Sequence, residues 1–352
     1  MSEVFAKRGE RKANIRRYLT DEQRSMAKNP PKDGRFGLMS TLSRIGENFM
    51  DALTPALREI QSWQSDLVIK FDEPFSKHTS FKVGGTVRAM LFPKKNSEIT
   101  QLCDLFLRYE ITPLVMGKGS NILASDTKHE LVVINTTRMN KIAKTGDTEI
   151  TAEAGALLSE IAVFARDSGL TGAEFAHGIP GTLGGAVVMN AGAYDGEMKD
   201  ILTATKALNS KSAVYTLTNK QHEFAYRHSR FSDSDDIVLS SVLSLQFGDS
   251  DLISRKMEEL SKRRKERQPL NLPSAGSTFK RPKEGYAASL IEQAGLKGFT
   301  IGGAQISEKH AGFIVNHNNA SFDEIIEIIE KTQEAVFKQF NIKLELEVKI
   351  IK

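Results

Sequence analysis

Along most of the chain, apolar residues recur in one of two ways. They form short runs of strand length, or they fall at the three-and-four spacing of an amphipathic helix. After residue 81 the two textures alternate. Residues 87–92 read as a strand, Asn96 and Ser97 can cap a helix over 97–109, and 112–116 reads as a second strand. Two short strands follow at 122–124 and 131–135, completing a small α+β unit. Residues 149–153 form another strand, with helices expected over 157–168 and after Pro180. Short strands recur through 201–247, and 237–247 is the clearest of them. A charged helix over 251–268 stops at Pro269, and 270–278 reads as an irregular loop. The last α+β unit holds a helix near 286–295 and a longer one opened by Ser321 and Glu324 as a capping box. The longer helix carries Ile325, Ile328, Ile329, Val336 and Phe340. A strand over 344–351 closes the chain. Leu344, Leu346, Val348 and Ile350 share one of its faces, and Glu345, Glu347 and Lys349 share the other.

The fold class is therefore α+β, divided at 66–140, 141–250 and 251–352 behind an N-terminal extension over 1–65. Residues 1–36 hold ten Lys or Arg, and the Pro30-Pro31 stretch reads as a linker, so this part is expected to be mobile and partly disordered. An amphipathic helix is expected over 38–65, with Leu42, Ile45, Phe49, Leu53 and Leu57 near helical spacing. It reads as an appendage with no part in the chemistry rather than a docking element. Met39 and Met50 are further possible start codons.

Composition narrows the functional classes. With 352 residues, 40% of them hydrophobic, the chain can fill two or three cores. A net charge of +4, from 48 basic and 44 acidic residues, demands no nucleic-acid partner and suits a basic pocket for an anionic ligand. Cys103 is the one cysteine, which excludes an intrachain disulfide and fits a reducing compartment. It lies beside Leu102 and Leu105 and reads as a packed core thiol. No apolar run approaches the roughly 18 residues of a membrane span, and the N-terminus lacks a signal-peptide hydrophobic region. A cytoplasmic protein, monomeric and without a membrane span, is expected. Seven histidines without an HExxH pattern or a cysteine cluster give no case for a metal.

Two glycine-rich loops carry the candidate chemistry. Gly117-Lys118-Gly119-Ser120-Asn121 follows an apolar strand, where glycines let backbone N–H groups approach a phosphate and Ser120 and Asn121 add donors. It lacks the upstream glycine of a Walker A loop and the third glycine of a Rossmann fingerprint. The second loop, 178–194, places Gly178, Ile179, Pro180, Gly181, Gly184, Gly185, Asn190, Gly192 and Ala193 among apolar residues, so it is no flexible linker. Pro180 suits a first helical turn, and Gly181, Gly184 and Gly185 would bare that helix end to an anion. The bland alternative is close helix packing. Together the two loops read as a clamp on an extended dinucleotide.

Seven motifs in order carry a family resemblance. They are Thr79–Gly85, the 117–123 and 178–194 loops, Tyr226-Arg227-His228-Ser229, the 274–280 turn, His310-Ala311-Gly312-Phe313 and Leu346-Glu347-Val348. Over roughly 75–352 the chain resembles UDP-N-acetylenolpyruvoylglucosamine reductase, a flavoenzyme of peptidoglycan synthesis. The resemblance implies an FAD-binding fold of the vanillyl-alcohol-oxidase (PCMH) type, in two subdomains over 66–140 and 141–250. It also implies an α+β substrate domain over 251–352, bound FAD, and NADPH as hydride donor to the enolpyruvyl group of a small UDP-sugar. The span from Arg227 to Ser277 is short, which looks like the form of the enzyme without an extra substrate-covering loop.

Hydride addition beside a carboxylate builds enolate-like charge, so such a site needs a cation there and a proton donor for the other carbon. The resemblance puts Arg227 in the first role, Ser277 in the second and Glu347 beside them. On pattern alone these are a surface arginine, a turn serine and a solvated glutamate. Lys280 and Arg281 follow the turn and could pair with phosphate or carboxylate groups of the substrate. The denser run Arg263, Arg264, Lys265 and Arg267 reads as a solvated helix face. His310 reads as structural or as a flavin neighbour. Rival readings are another flavin oxidase or dehydrogenase of the same fold, and a catalytically idle nucleotide-sugar-binding paralogue.

Overall fold

The computed structural model describes residues 52–63 and 66–352. The basic segment over 1–36, and Leu42, Ile45 and Phe49 of the expected helix, lie outside the described residues. Residues 56–352 form one compact unit. Of the other unit, 1–55, residues 52–55 are described, and helix Leu53–Gln61 begins there. Glu59, on that helix, accepts from Arg108 Nη2 at 2.6 Å and from Tyr109 Oη at 3.2 Å.

A four-stranded sheet opens the compact unit. Its order is Val68–Pro74, Thr86–Phe92, His129–Asn135, Leu114–Met116. The first pair is antiparallel and the others are parallel. Inner strand Thr86–Phe92 is buried along nearly its whole length, which explains its continuous apolar run. Helix Asn96–Arg108 buries Ile99, Leu102, Leu105 and Phe106 at helical spacing.

The second sheet has five antiparallel strands in the order Val214–Thr218, Leu202–Leu208, Ile237–Ser244, Glu149–Glu153, Ile142–Lys144. Helices Leu158–Asp167 and Leu183–Val188 contribute to the core beside it, with Ile161, Ala165, Leu183 and Val187 fully or almost fully buried. The expected helix after Pro180 starts three residues late, for a visible reason. Gly181 O accepts from Leu158 N, while Leu183 and Gly184 donate to Ala156 O and Ala154 O, so Pro180-Gly181 is held as part of a loop.

The C-terminal part packs helices Ala287–Gln293 and Phe322–Phe340 near a three-stranded sheet, Thr300–Ile301, Ala304–Ile306 and Ile314–Asn316. The capping box is present: Ser321 Oγ accepts from Glu324 N, and Glu324 Oε2 accepts from Ser321 N. Helix Ser250–Arg267 is capped by Asp249 and ends just before Gln268 and Pro269. The C-terminal core also takes Phe81, Val83 and Leu123 from early in the chain, so the two ends of the unit share one interior.

The closing strand is divided between two partners. Lys349–Ile351 pairs in parallel with Ile122–Ala124. The preceding residues pair with the 278–280 segment: Glu347 N donates to Thr278 O, Lys280 N donates to Glu345 O, and Leu346 bridges Phe279. A long uniform strand was the expectation. The switch of partner at residue 348 sets where Glu347 sits.

Candidate active site

A cavity of about 830 Å³ runs through the compact unit. Arg227, Ser277 and Glu347 all line it, as do Gly117, Lys118, Gly119, Ser120, Asn121, Ile179, Pro180, Gly181, Gly184, Gly185, Gly192 and Ala193. Gly178, Asn190, Lys280 and Arg281 do not. Asn190 is fully buried and structural, with Nδ2 donating to Glu197 and to Ala225 O and Oδ1 accepting from Lys199 N.

Arg227 has a left-handed backbone, φ 53°. Reciprocal hydrogen bonds between Ala225 and His228 close the turn around it, at 3.0 and 3.2 Å. Ser229 and Ser232 both donate to Val188 O, fixing the turn on the end of the Leu183–Val188 helix. The guanidinium lies over the Tyr226 ring and donates through Nη2 to Gly192 O. Its Nε donates to Glu347 Oε1 at 2.8 Å.

Glu347 therefore does not lie on a solvated face. Its side chain is 14% exposed, against 75% for Glu345 two residues away. Burial pushes its carboxyl above the ordinary value, and the Arg227 charge acts in the opposite direction. Ser277 follows Gly276, whose φ of 77° makes the sharp turn and which faces open space. The turn is tied down by Ser80 Oγ donating to Ser274 O at 2.6 Å and by Thr278 N donating to Gly312 O. Among the described residues the Ser277 hydroxyl has no protein partner, which leaves it free for a ligand.

The first glycine loop is a cradle of free donors. Among the described residues, the backbone N–H groups of Lys118, Gly119 and Ser120 donate to no protein acceptor. Gly117 is required by contact: a Cβ there would stand 1.9 Å from Thr182 Oγ1. On the second loop a Cβ at Gly181 or Gly185 would enter cavity space, with no neighbour nearer than 3.4 Å and 4.0 Å respectively. Free amides on the first loop and bare glycine surfaces on the second fit a diphosphate.

Arg264 and Gln268 also line the cavity. Arg264 packs against Gly178, burial lowers its pKa, and among the described residues it meets no carboxylate. The buried Gln268 Oε1 is unpartnered. The solvated-face reading of this basic run is wrong for Arg264. The signal was present in the register, because Ile253, Met257 and Leu260 form the buried stripe of that helix and Arg264 continues it. Arg263 instead lies over the Tyr194 ring, and Lys265 and Arg267 are exposed. At the edge of the site, Lys280 pairs with Glu345, and Arg281 stacks on the exposed Tyr286 ring while its backbone N–H donates to Tyr226 Oη.

Known proteins with this arrangement decide the family. A model described as "UDP-N-acetylenolpyruvoylglucosamine reductase, C-terminal domain" matches residues 268–351, and one described as "FAD binding domain" matches 87–218. The UDP-N-acetylenolpyruvoylglucosamine reductase of Caldanaerobacter subterraneus subsp. tengcongensis is 47% identical, over 87% of this chain and 99% of its own. This chain belongs to the UDP-N-acetylenolpyruvoylglucosamine reductase family. The reductase of Clostridioides difficile is 45% identical, over 80% of this chain and 93% of its own. The crystal structure of the reductase from Thermus caldophilus superposes with a TM-score of 0.70 at 31% identity, covering 81% of this chain and 99% of that one. The flavin-binding fold with an α+β C-terminal part is thus the reductase family's own. FAD fits this site on the free amides of 118–120 and the bare surfaces of Gly181 and Gly185.

Proposed function

We propose that this chain reduces the enolpyruvyl group of UDP-N-acetyl-3-O-(1-carboxyvinyl)glucosamine to UDP-N-acetylmuramate, with NADPH as donor and bound FAD as carrier, in peptidoglycan precursor synthesis. The observation that carries this reading is the meeting of Arg227, Ser277 and Glu347 in one cavity with both glycine loops.

Bound FAD supplies hydride transfer between NADPH and the enolpyruvyl carbon. The chain's own residues do the rest. The 117–121 and 178–193 loops hold the cofactor by backbone donors and close approach. Arg227, fixed over Tyr226, stabilises the enolate-like charge that builds beside the substrate carboxylate. Ser277 Oγ delivers the proton to the second carbon. Glu347 orients Arg227 and assists that proton transfer. Arg264 supplies a cation to an anionic group of the ligand, and its lack of a carboxylate partner among the described residues supports this role. Lys280 and Arg281, at the edge of the site, pair with phosphate or carboxylate groups of the UDP-sugar.

The same reading divides the chain at 66–140 and 141–250 for the cofactor and 251–352 for the substrate, and places it in the cytoplasm as a monomer. No helix among the described residues is long and apolar enough to cross a membrane. The test is product identity: NADPH and the enolpyruvyl UDP-sugar should yield a product heavier by two hydrogens. A hydrolysed or unchanged sugar would rule the assignment out.

A further inference from the structure

Asn121 belongs to the first glycine loop, and its sequence context marks it as a donor to cofactor phosphate. The structure uses the side chain elsewhere. Asn121 Nδ2 donates to Glu347 O at 2.9 Å and lies 3.8 Å from Met189 Sδ. The backbone carbonyl of Asn121 accepts from Lys349 N at 2.9 Å. The same residue thus holds the chain on both sides of position 348. From the other direction, Glu347 N donates to Thr278 O, next to Ser277. Glu347 is therefore tied by its N–H to the serine turn and by its carbonyl to the cofactor loop. Of these two ties, only the Asn121 amide is made by a side chain, and so only it can be removed by substitution.

We propose that Asn121 is a positioning residue for Glu347. Its amide transmits the placement of the cofactor loop to the carboxylate, so that flavin, Arg227 and proton donor keep one register. The reading rests on the reductase assignment. The physical stake is geometric: a single hydrogen bond to the backbone controls a side chain whose displacement by about 1 Å can cost on the order of 100-fold in rate.

Two variants of the full chain test it. For each, FAD affinity is measured by flavin fluorescence. Reduction of bound flavin by NADPH and its reoxidation by the enolpyruvyl UDP-sugar are followed separately, as ratios to the unmodified protein across pH. Asn121→Ala removes the donor. It should leave FAD affinity and the first step within about threefold and slow reoxidation by about tenfold or more. Asn121→Asp keeps the size. Its reoxidation ratio should rise as pH falls, because only the protonated carboxyl can donate to Glu347 O, and Asn121→Ala should show no such rise. If Asn121→Ala does not fold, the pH series of Asn121→Asp decides alone. Three results overturn the proposal: FAD affinity falling in step with reoxidation, reoxidation unchanged in Asn121→Ala, or a pH-independent ratio in Asn121→Asp. If the unmodified protein itself does not reduce the UDP-sugar, the reductase assignment fails first, and that is read before either variant is made.

Discussion

Arg227 Nε lies 2.8 Å from Glu347 Oε1, and the two residues are 120 positions apart in the chain. Both side chains are largely buried, at 21% and 14% exposure. Burial raises the Glu347 carboxyl above its ordinary 4.5, and Arg227 partly opposes that rise. A carboxyl whose folded value is raised binds protons more tightly when folded, so its contribution is present below 4.5 and is lost as pH rises through the raised value. For activity the ionised pair is the working form. The acid limb of kcat/KM should therefore fall above pH 4.5 and disappear in Glu347→Gln. A limb at or below 4.5 would contradict this placement of the carboxylate.

Removing the arginine leaves that carboxylate buried and alone. Arg227→Ala should lower stability by about 1–3 kcal/mol at neutral pH, read by denaturant titration. The loss should shrink as pH falls and Glu347 takes up a proton. A loss of the same size at every pH would mean that the pair is not what the arginine stabilises.

Gly117 is packed against Thr182 rather than left free for flexibility. Gly117→Ala should lower stability through overpacking by about 1–3 kcal/mol, read as a lower melting temperature. Removing Thr182 Oγ1 in the Gly117→Ala, Thr182→Ala pair should restore part of that loss. Additive losses in the pair would show that the strain lies elsewhere in the loop.

The sequence makes Cys103 a packed core thiol; in the structure it is half-buried and lines the cavity instead. Burial pushes its pKa up to about 12, so the reactive thiolate at pH 8 is on the order of one part in ten thousand. Iodoacetamide labelling followed by mass should be slow in the folded protein and fast in denaturant. Equal rates would contradict the burial.

Much of this was legible in the sequence. Local signals marked the Ser321–Glu324 cap and the strands at Ile122–Ala124 and Glu149–Glu153, because capping and alternation depend on neighbours in the chain. The bare glycines at 181 and 185 were legible for the same reason. What escaped depends on long-range partners. The alternation puts Glu347 on a polar face, and contacts far away in the chain, such as Arg227 120 residues off, make its surroundings an interior. Arg264 was hidden by charge: its neighbours Arg263 and Lys265 suggested a solvated face, although its position on the buried stripe did not. The hydrogen bond from the Asn121 amide to the Glu347 carbonyl joins residues 226 positions apart, which no local pattern shows.

The Ser277 hydroxyl, with no protein partner among the described residues, carries the proton-transfer role. Ser277→Ala should let NADPH reduce the bound flavin at close to the normal rate while turnover falls by about 100-fold to 10,000-fold. Loss of both steps would contradict a proton-donor role.

The most direct measurement is NADPH oxidation by the purified, FAD-loaded protein with and without the enolpyruvyl UDP-sugar. Oxidation should be fast only when the sugar is present, with one UDP-N-acetylmuramate formed per NADPH consumed. Equal rates with and without the sugar would contradict it.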